Sequence, residues 1–199
     1  MVSLVYPSRG FDSLSFKSKQ PTLYDASSNG RSASRHVGGH MFYIGISHPE
    51  LPRHLYAQID GFLSYVGKSK KFLIVLPDRA EPQGVATGTP AVNNAGGYAK
   101  GISSINLKNL TPSVTGWFKE NDFFKFQNHA KAHMCMQNLD SDVAGNGVLV
   151  FEPPLPQAVA DGEPLVVRDV PFQVVCLNNH SHQVNLSRYG TNMMLMEAV

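Results

Sequence analysis

Eight histidines are the residues of this chain best suited to metal chemistry. They are His36, His40, His48, His54, His129, His133, His180 and His182. His36 and His40 lie four residues apart, but the sequence HVGGH is too rich in glycine to form a helix that would align them. The sequence around His129 and His133 is β-like, which places both on one strand face about 13 Å apart.

The remaining histidine pair, His180 and His182, could share a strand face. No cysteine or carboxylate stands close enough in sequence to act as a third ligand. No metal-ligating residue is therefore predicted.

Nucleophilic and acid–base chemistry is equally hard to place. The chain has no G-x-S-x-G, no C-x-x-C and no phosphate-binding G-K-[ST] motif. Cys135 and Cys176 each lie in an apolar alternating stretch, which predicts buried free thiols in a reducing compartment. Asp140 and Asp142 are interpreted as turn residues, and DSDVAGNG lacks the final glutamate of a calcium loop. We therefore predict a protein that is not an enzyme, with no catalytic, cofactor-binding or metal residues and no cofactor.

Charge is scarce in this chain. Its charged fraction is 16%, against about 25% in average soluble proteins. A surface this poor in charge is typical of a protein buried against partners, and equally of a β-rich domain. Residues 1–80 carry ten basic and five acidic residues, whereas residues 81–199 carry seven and ten. These parts could meet head to tail between copies of the chain, or could be two solvated faces.

The chain shows no secretory signal at its start and no apolar run of the roughly 18–20 residues that cross a membrane. Assembly in a host cytoplasm and no membrane span are therefore expected. The net charge of +2 is too small to predict nucleic-acid binding.

The N-terminal region, 7–40, is polar and rich in Ser, Gly and Arg. A weak strand is predicted at Ser13–Ser18, and Ala26–Arg35 has loop composition with a turn signal at Asn29–Gly30. We expect this region to be an arm that is either flexible or laid on a neighbouring subunit.

A strand–helix–strand unit follows the arm. His40–Ser47 is β-branched and aromatic, and Arg53–Val66 has apolar residues on one helical face up to the stop signal Gly67. Phe72–Leu76 is continuously apolar, which predicts a strand buried on both faces.

From residue 81 to residue 169 the predicted strands are short and separated by turn signals, the pattern of a small barrel or sandwich. These strands are Phe123–Phe126, Ala132–Gln137, Val148–Phe151 and Pro164–Arg168. Two further strands, Pro171–Leu177 and Met193–Ala198, close the chain. Trp117 is interpreted as a core residue rather than a stacking platform.

The predicted fold class is mainly β, a β-sandwich or split-barrel scaffold with one α-helix at about 53–66 and an inserted small β-barrel. The scaffold would comprise residues 1–80 and 170–199, and the insertion residues 81–169.

The central segment, 116–165, resembles a module of tail and baseplate proteins of tailed phages. The matching passages are Asn121–Asp122–Phe123, Asp142–Gly145–Asn146–Gly147, Glu152–Pro153–Pro154–Leu155 and Ala160–Asp161–Gly162. The usual glycine before Asp122 is replaced by Asn121, which also tolerates left-handed backbone. The resemblance extends over most of residues 35–175.

The resemblance implies a structural protein of the distal-tail or tail-tube type, located in the virion tail. Its partners would be copies of itself in a ring, expected to be hexameric although three-fold symmetry is open, and other tail-tube and baseplate proteins. DNA would be only cargo passing through the channel. The alternative is a carbohydrate- or cell-surface-binding module at the tail tip, with Trp117, Phe118 and Tyr98 as the candidate aromatic platform.

Overall fold

The computed structural model describes residues 4–7, 10–26, 30–36, 39–179, 181, 183–185 and 188–198. The side chains of His36, Gln183 and Asn185 are also outside this description. Within these ranges no helix is both long and apolar enough to cross a membrane.

Strands dominate the described part of the chain, in agreement with the predicted mainly-β class. The strands are β1 (Ser13–Lys19), β2 (Thr22–Ala26), β3 (Ser32–His36), β4 (Met41–Ser47), β5 (Leu51–Pro52), β6 (Phe72–Val75), β7 (Ala91–Val92), β8 (Ser104–Lys108), β9 (Phe123–Phe126), β10 (Ala132–Cys135), β11 (Gly147–Glu152), β12 (Leu165–Val166), β13 (Pro171–Cys176), β14 (Gln183–Asn185), β15 (Arg188–Gly190) and β16 (Asn192–Glu197). The helices are α1 (Arg53–Val66) and a 3-10 turn at Pro77–Arg79.

Two compact units divide the chain. The first comprises Met1–Leu73 with Val174–Ala198, and the second comprises Ile74–Gln173. By sequence, the first carries ten basic and five acidic residues, and the second seven and ten. The net charges of the two units are therefore +5 and −3.

The first unit is built on a five-stranded sheet of order β1-β4-β16-β13-β6. The predicted strand at Ser13–Ser18 is confirmed as β1, which pairs antiparallel with β4 from Ser13↔Ser47 to Lys19↔Met41. The strand predicted at Met193–Ala198 is confirmed as β16, which pairs with β4 on its other side. Leu14 and Phe16 face the same side of the sheet as Ile46 and Ile44.

Helix α1 occupies the predicted range. Its buried residues are Tyr56, Ile59, Leu63 and Val66. Gly67 ends the helix with φ +54, and its N–H donates to the Leu63 carbonyl at 2.9 Å. A residue with a side chain would be strained in this left-handed conformation, which explains the stop.

Two strand predictions were wrong. Ala26–Arg35 was expected to be a loop, but β2 and β3 form an antiparallel hairpin from Thr22↔His36 to Ala26↔Ser32. Phe72–Leu76 was expected to be buried on both faces, but burial alternates, because Phe72, Ile74 and Leu76 are buried while Leu73 and Val75 are half-buried.

The second unit holds the expected barrel-like sheet, with the order β12-β9-β10-β11-β8-β7. An isolated bridge between Ala91 and Pro164 brings its two ends together. Val92 N–H donates to Glu163 O at 3.0 Å, and Gly162 N–H donates to Val92 O at 3.0 Å. These bonds nearly close the sheet around a core of buried apolar residues, which are Ala86, Val92, Ile105, Leu107, Leu110, Trp117, Phe118, Phe124, Phe126, Cys135, Leu139, Leu149, Phe151, Leu155, Val159, Leu165 and Val167.

Candidate assembly surfaces

The histidines at 129 and 133 are core residues of the barrel. His133 is fully buried on β10, and its Nδ1 donates to the Pro153 carbonyl oxygen at 2.7 Å. Its ring packs against Phe124 and Phe151, with centroids 5.4 and 5.0 Å away. His129 lies in the turn before β10, so the expected shared strand face was wrong. Burial lowers the pKa of His129.

The other histidines considered as metal ligands do not form a metal-binding group within the described ranges. No group of three His, Cys, Asp or Glu side chains is placed there to hold an ion. His40 is buried next to Phe42 and contacts the Ser18 hydroxyl. His180, His182 and the side chain of His36 lie outside the described part of the structure.

Both cysteines are buried and free, as predicted. The Cys135 thiol donates to the Gln137 carbonyl oxygen at 3.0 Å, and burial raises its pKa to about 11. Burial also raises the pKa of Cys176. Because the thiolate is the reactive form, neither thiol is activated as a nucleophile near neutral pH.

Two acidic residues of the second unit, Asp122 and Asp142, hold loops in place through backbone hydrogen bonds. Asp142 Oδ1 accepts from Ala144 N–H and Asn146 N–H, each at 2.8 Å, which is the turn role predicted for it. Asp122 is only 3% exposed, and its carboxylate accepts from the backbone N–H groups of Gln83, Gly84 and Lys119 at 2.7, 3.2 and 2.8 Å. Each carboxylate is thus occupied by backbone donors.

One edge of the five-stranded sheet is open. β1 pairs with β4 on one side, and no described strand lies on its other side. The opposite edge, β6, is covered by the N-terminal residues, because Leu73 N–H donates to Leu4 O at 2.7 Å and Tyr6 N–H donates to Leu73 O at 2.9 Å. An open edge presents unpaired N–H and C=O groups that can pair with another chain.

The hairpin formed by β2 and β3 is a second exposed surface. Every residue of β2 is exposed, and Leu23 and Tyr24 are 63% and 71% exposed. A two-stranded hairpin without a buried face is marginally stable in water. Packing against another chain would supply the buried area that this hairpin lacks.

Within the first unit, His48 binds two N-terminal residues, Tyr6 and Gly10, and we call these three residues the clamp. The Tyr6 hydroxyl lies 2.5 Å from His48 Nε2, and His48 Nδ1 lies 2.8 Å from the Gly10 carbonyl oxygen. The Tyr6 ring also packs edge-on against Phe62 at 5.5 Å. Burial raises the pKa of Tyr6 and lowers that of His48, so both side chains are neutral at pH 7.

No family model matches the chain. A curated protein is 28% identical to it over 186 residues, which is 94% of this chain and 89% of the other protein. That protein is the distal tail protein pb9 of Escherichia phage T5. This chain resembles a phage distal tail protein. The alignment covers enough of the chain to include both units, and the predicted resemblance to tail structural proteins is confirmed.

Sequence reasoning missed the hairpin and the clamp. A strand signal was present in Thr22–Leu23–Tyr24, and Asn29–Gly30 is a common hairpin turn pair. The clamp joins residues 42 positions apart, and no local pattern connects Tyr6 to His48.

Proposed function

We propose that this chain is a non-enzymatic structural component of a phage tail, in which copies assemble into a ring joining the tail tube to the baseplate or distal tail adaptor. The observation that carries the proposal is the similarity to a distal tail protein over nearly the whole chain. The open sheet edge and the exposed hairpin support it, because both are surfaces suited to another chain.

A ring requires a head-to-tail interface, in which two different surfaces of the chain meet and the rotation closes. In this proposal β1 and the hairpin form one side of that interface. Main-chain pairing along β1 would set the register between copies, and Leu23 and Tyr24 would anchor the hairpin on the neighbour.

The ring would have six copies, with the first unit as the scaffold and the second as the inserted barrel. Its partners would be other tail-tube and baseplate proteins, and DNA would pass through only as cargo. The protein would be assembled in the host cytoplasm and would reside in the virion tail.

The carbohydrate-binding alternative loses its candidate platform. Trp117 and Phe118 are both buried in the barrel core, as the core interpretation of Trp117 predicted. The hydroxyl of half-buried Tyr98 accepts the backbone N–H of Asn106 at 2.9 Å. A sugar would therefore not find these three rings stacked and exposed.

Labelling of virions with an antibody against this chain tests the proposal. The label is expected at the distal end of the tail, with several copies per particle. Absence of the chain from virions purified after infection would contradict the proposal.

A further inference from the structure

The first unit carries a basic surface at the end of α1, separate from the residues of the clamp and of the sheet. Lys68, Lys70 and Lys71 follow the end of α1 and are exposed, and Tyr65 is 61% exposed in the last turn of the helix. Lys70 Nζ lies 3.4 Å from the centroid of the Tyr65 ring. We call these four residues the lysine patch.

The lysine patch is uncompensated within the described part of the chain. None of its three ammonium groups forms an ion pair there; the described pairs involve Arg79, Lys108 and Arg168. Its neighbours along the small depression at the helix end are neutral, namely Asn178, Asn179 and Met193. Three like charges left together favour an anionic partner.

The second unit carries exposed carboxylates, whose charge is opposite to that of the lysine patch. Glu120, Asp140 and Asp142 are exposed. The bridge between Phe118 and Leu139 brings residues 116–120 alongside residues 138–140, and Glu120 N–H donates to Asn138 Oδ1 at 3.1 Å. We call these three carboxylates the acidic rim; Lys119 is the nearest basic neighbour in sequence. None of the three carboxylates forms an ion pair with a described residue.

From this complementarity we propose that the lysine patch docks on the acidic rim of a second copy of this chain. The inference rests on the proposed ring, because a head-to-tail interface needs two different surfaces of opposite character on one chain. The net charges of the two units, +5 and −3, have the required signs. Opposite charges at an interface guide the encounter of two copies and fix their register. Salt screens the attraction between these charges.

Charge reversal tests the docking. In Lys68→Glu/Lys70→Glu, like charges face each other, and about a tenfold higher protomer concentration is expected for ring formation. The matched control is Arg53→Glu/Lys100→Glu, which changes the net charge by the same amount at exposed positions outside both surfaces. It is expected to assemble as the natural protein does. Melting temperatures of both variants establish that they are folded.

A compensating change makes the test specific. Glu120 is the rim residue to reverse, because its carboxylate accepts no hydrogen bond from a described residue, whereas Asp140 and Asp142 hold backbone N–H groups. Glu120→Lys alone should weaken assembly, and combined with Lys68→Glu/Lys70→Glu it should restore part of it. Normal rings from the lysine variant would overturn the docking while leaving the ring intact. A natural protein that forms no ring would overturn the proposed function as well.

Discussion

The Tyr6 hydroxyl and His48 Nε2 lie 2.5 Å apart, and the same imidazole reaches the Gly10 carbonyl through Nδ1 at 2.8 Å. A carbonyl can only accept, so Nδ1 carries the proton and Nε2 accepts from Tyr6. One neutral ring therefore contacts both Tyr6 and Gly10.

Acid should weaken this clamp. Burial lowers the pKa of His48 below the ordinary value of 6.5, and a smaller opposing effect comes from its bond to Gly10. The unfolded chain then binds the proton more readily, so the free energy of unfolding should fall as pH drops below 6.5 and level off below the folded-state pKa. Burial of His129 acts in the same direction on the barrel. Chemical unfolding at pH 5.0, 6.0 and 7.0 measures the slope.

The variant His48→Gln isolates the contribution of the clamp. It should be less stable at pH 7 but show a smaller fall between pH 7 and pH 5, because one titrating group is gone. Keeping above pH 5 avoids the exposed carboxylates Asp142 and Asp161, whose pKa values are lowered by hydrogen bonds. An unchanged slope would mean that His48 does not titrate with folding.

Removal of the Asp122 carboxylate should destabilise the second unit. Asp122→Ala would remove the buried carboxylate that accepts from three backbone N–H groups. The expected loss is about 3 kcal/mol in the free energy of unfolding. Asp78→Ala, at an exposed carboxylate of the same unit, is the control and should cost less than about 0.5 kcal/mol. Equal losses would show that Asp122 does not organise the loop.

Asn121 should tolerate glycine but not a β-branched residue. Its φ is +68, as the replacement of the usual glycine predicted. Asn121→Gly should change stability little, whereas Asn121→Val should cost about 1–3 kcal/mol because β-branched side chains are strained in left-handed backbone. Thermal unfolding of the pair checks the difference, and similar melting temperatures would refute it.

Excision of the hairpin should separate folding from assembly. Lys19 pairs directly with Met41, so joining Gln20 to Gly39 leaves a three-residue connection, Gln20–Gly39–His40, between β1 and β4. Circular dichroism should show a folded protein, because all of β2 is exposed, and ring assembly should fail. Deletion of the whole region 1–35 is a poorer test, since it removes buried Tyr6 and the paired strand β1. Normal rings after excision would show that the hairpin is not an interface.

The elements that could be predicted from sequence are those with a strong local signal. Helix α1 has an apolar face and a glycine stop, and the barrel strands are bounded by turn residues. The hairpin was missed because none of the residues of β2 is buried, so they leave no alternating pattern. The bridge from Ala91 to Pro164 and the clamp join distant residues, which periodicity cannot pair.

The mass of the purified full-length chain in solution, measured over a range of concentrations, tests the central claim most directly. Ring assembly predicts a discrete species that is a fixed multiple of the 21.8 kDa chain, six-fold in our proposal, and annular particles in electron micrographs. A protein that stays at the mass of one chain at all concentrations would contradict the claim, provided that the chain is also missing from purified virions.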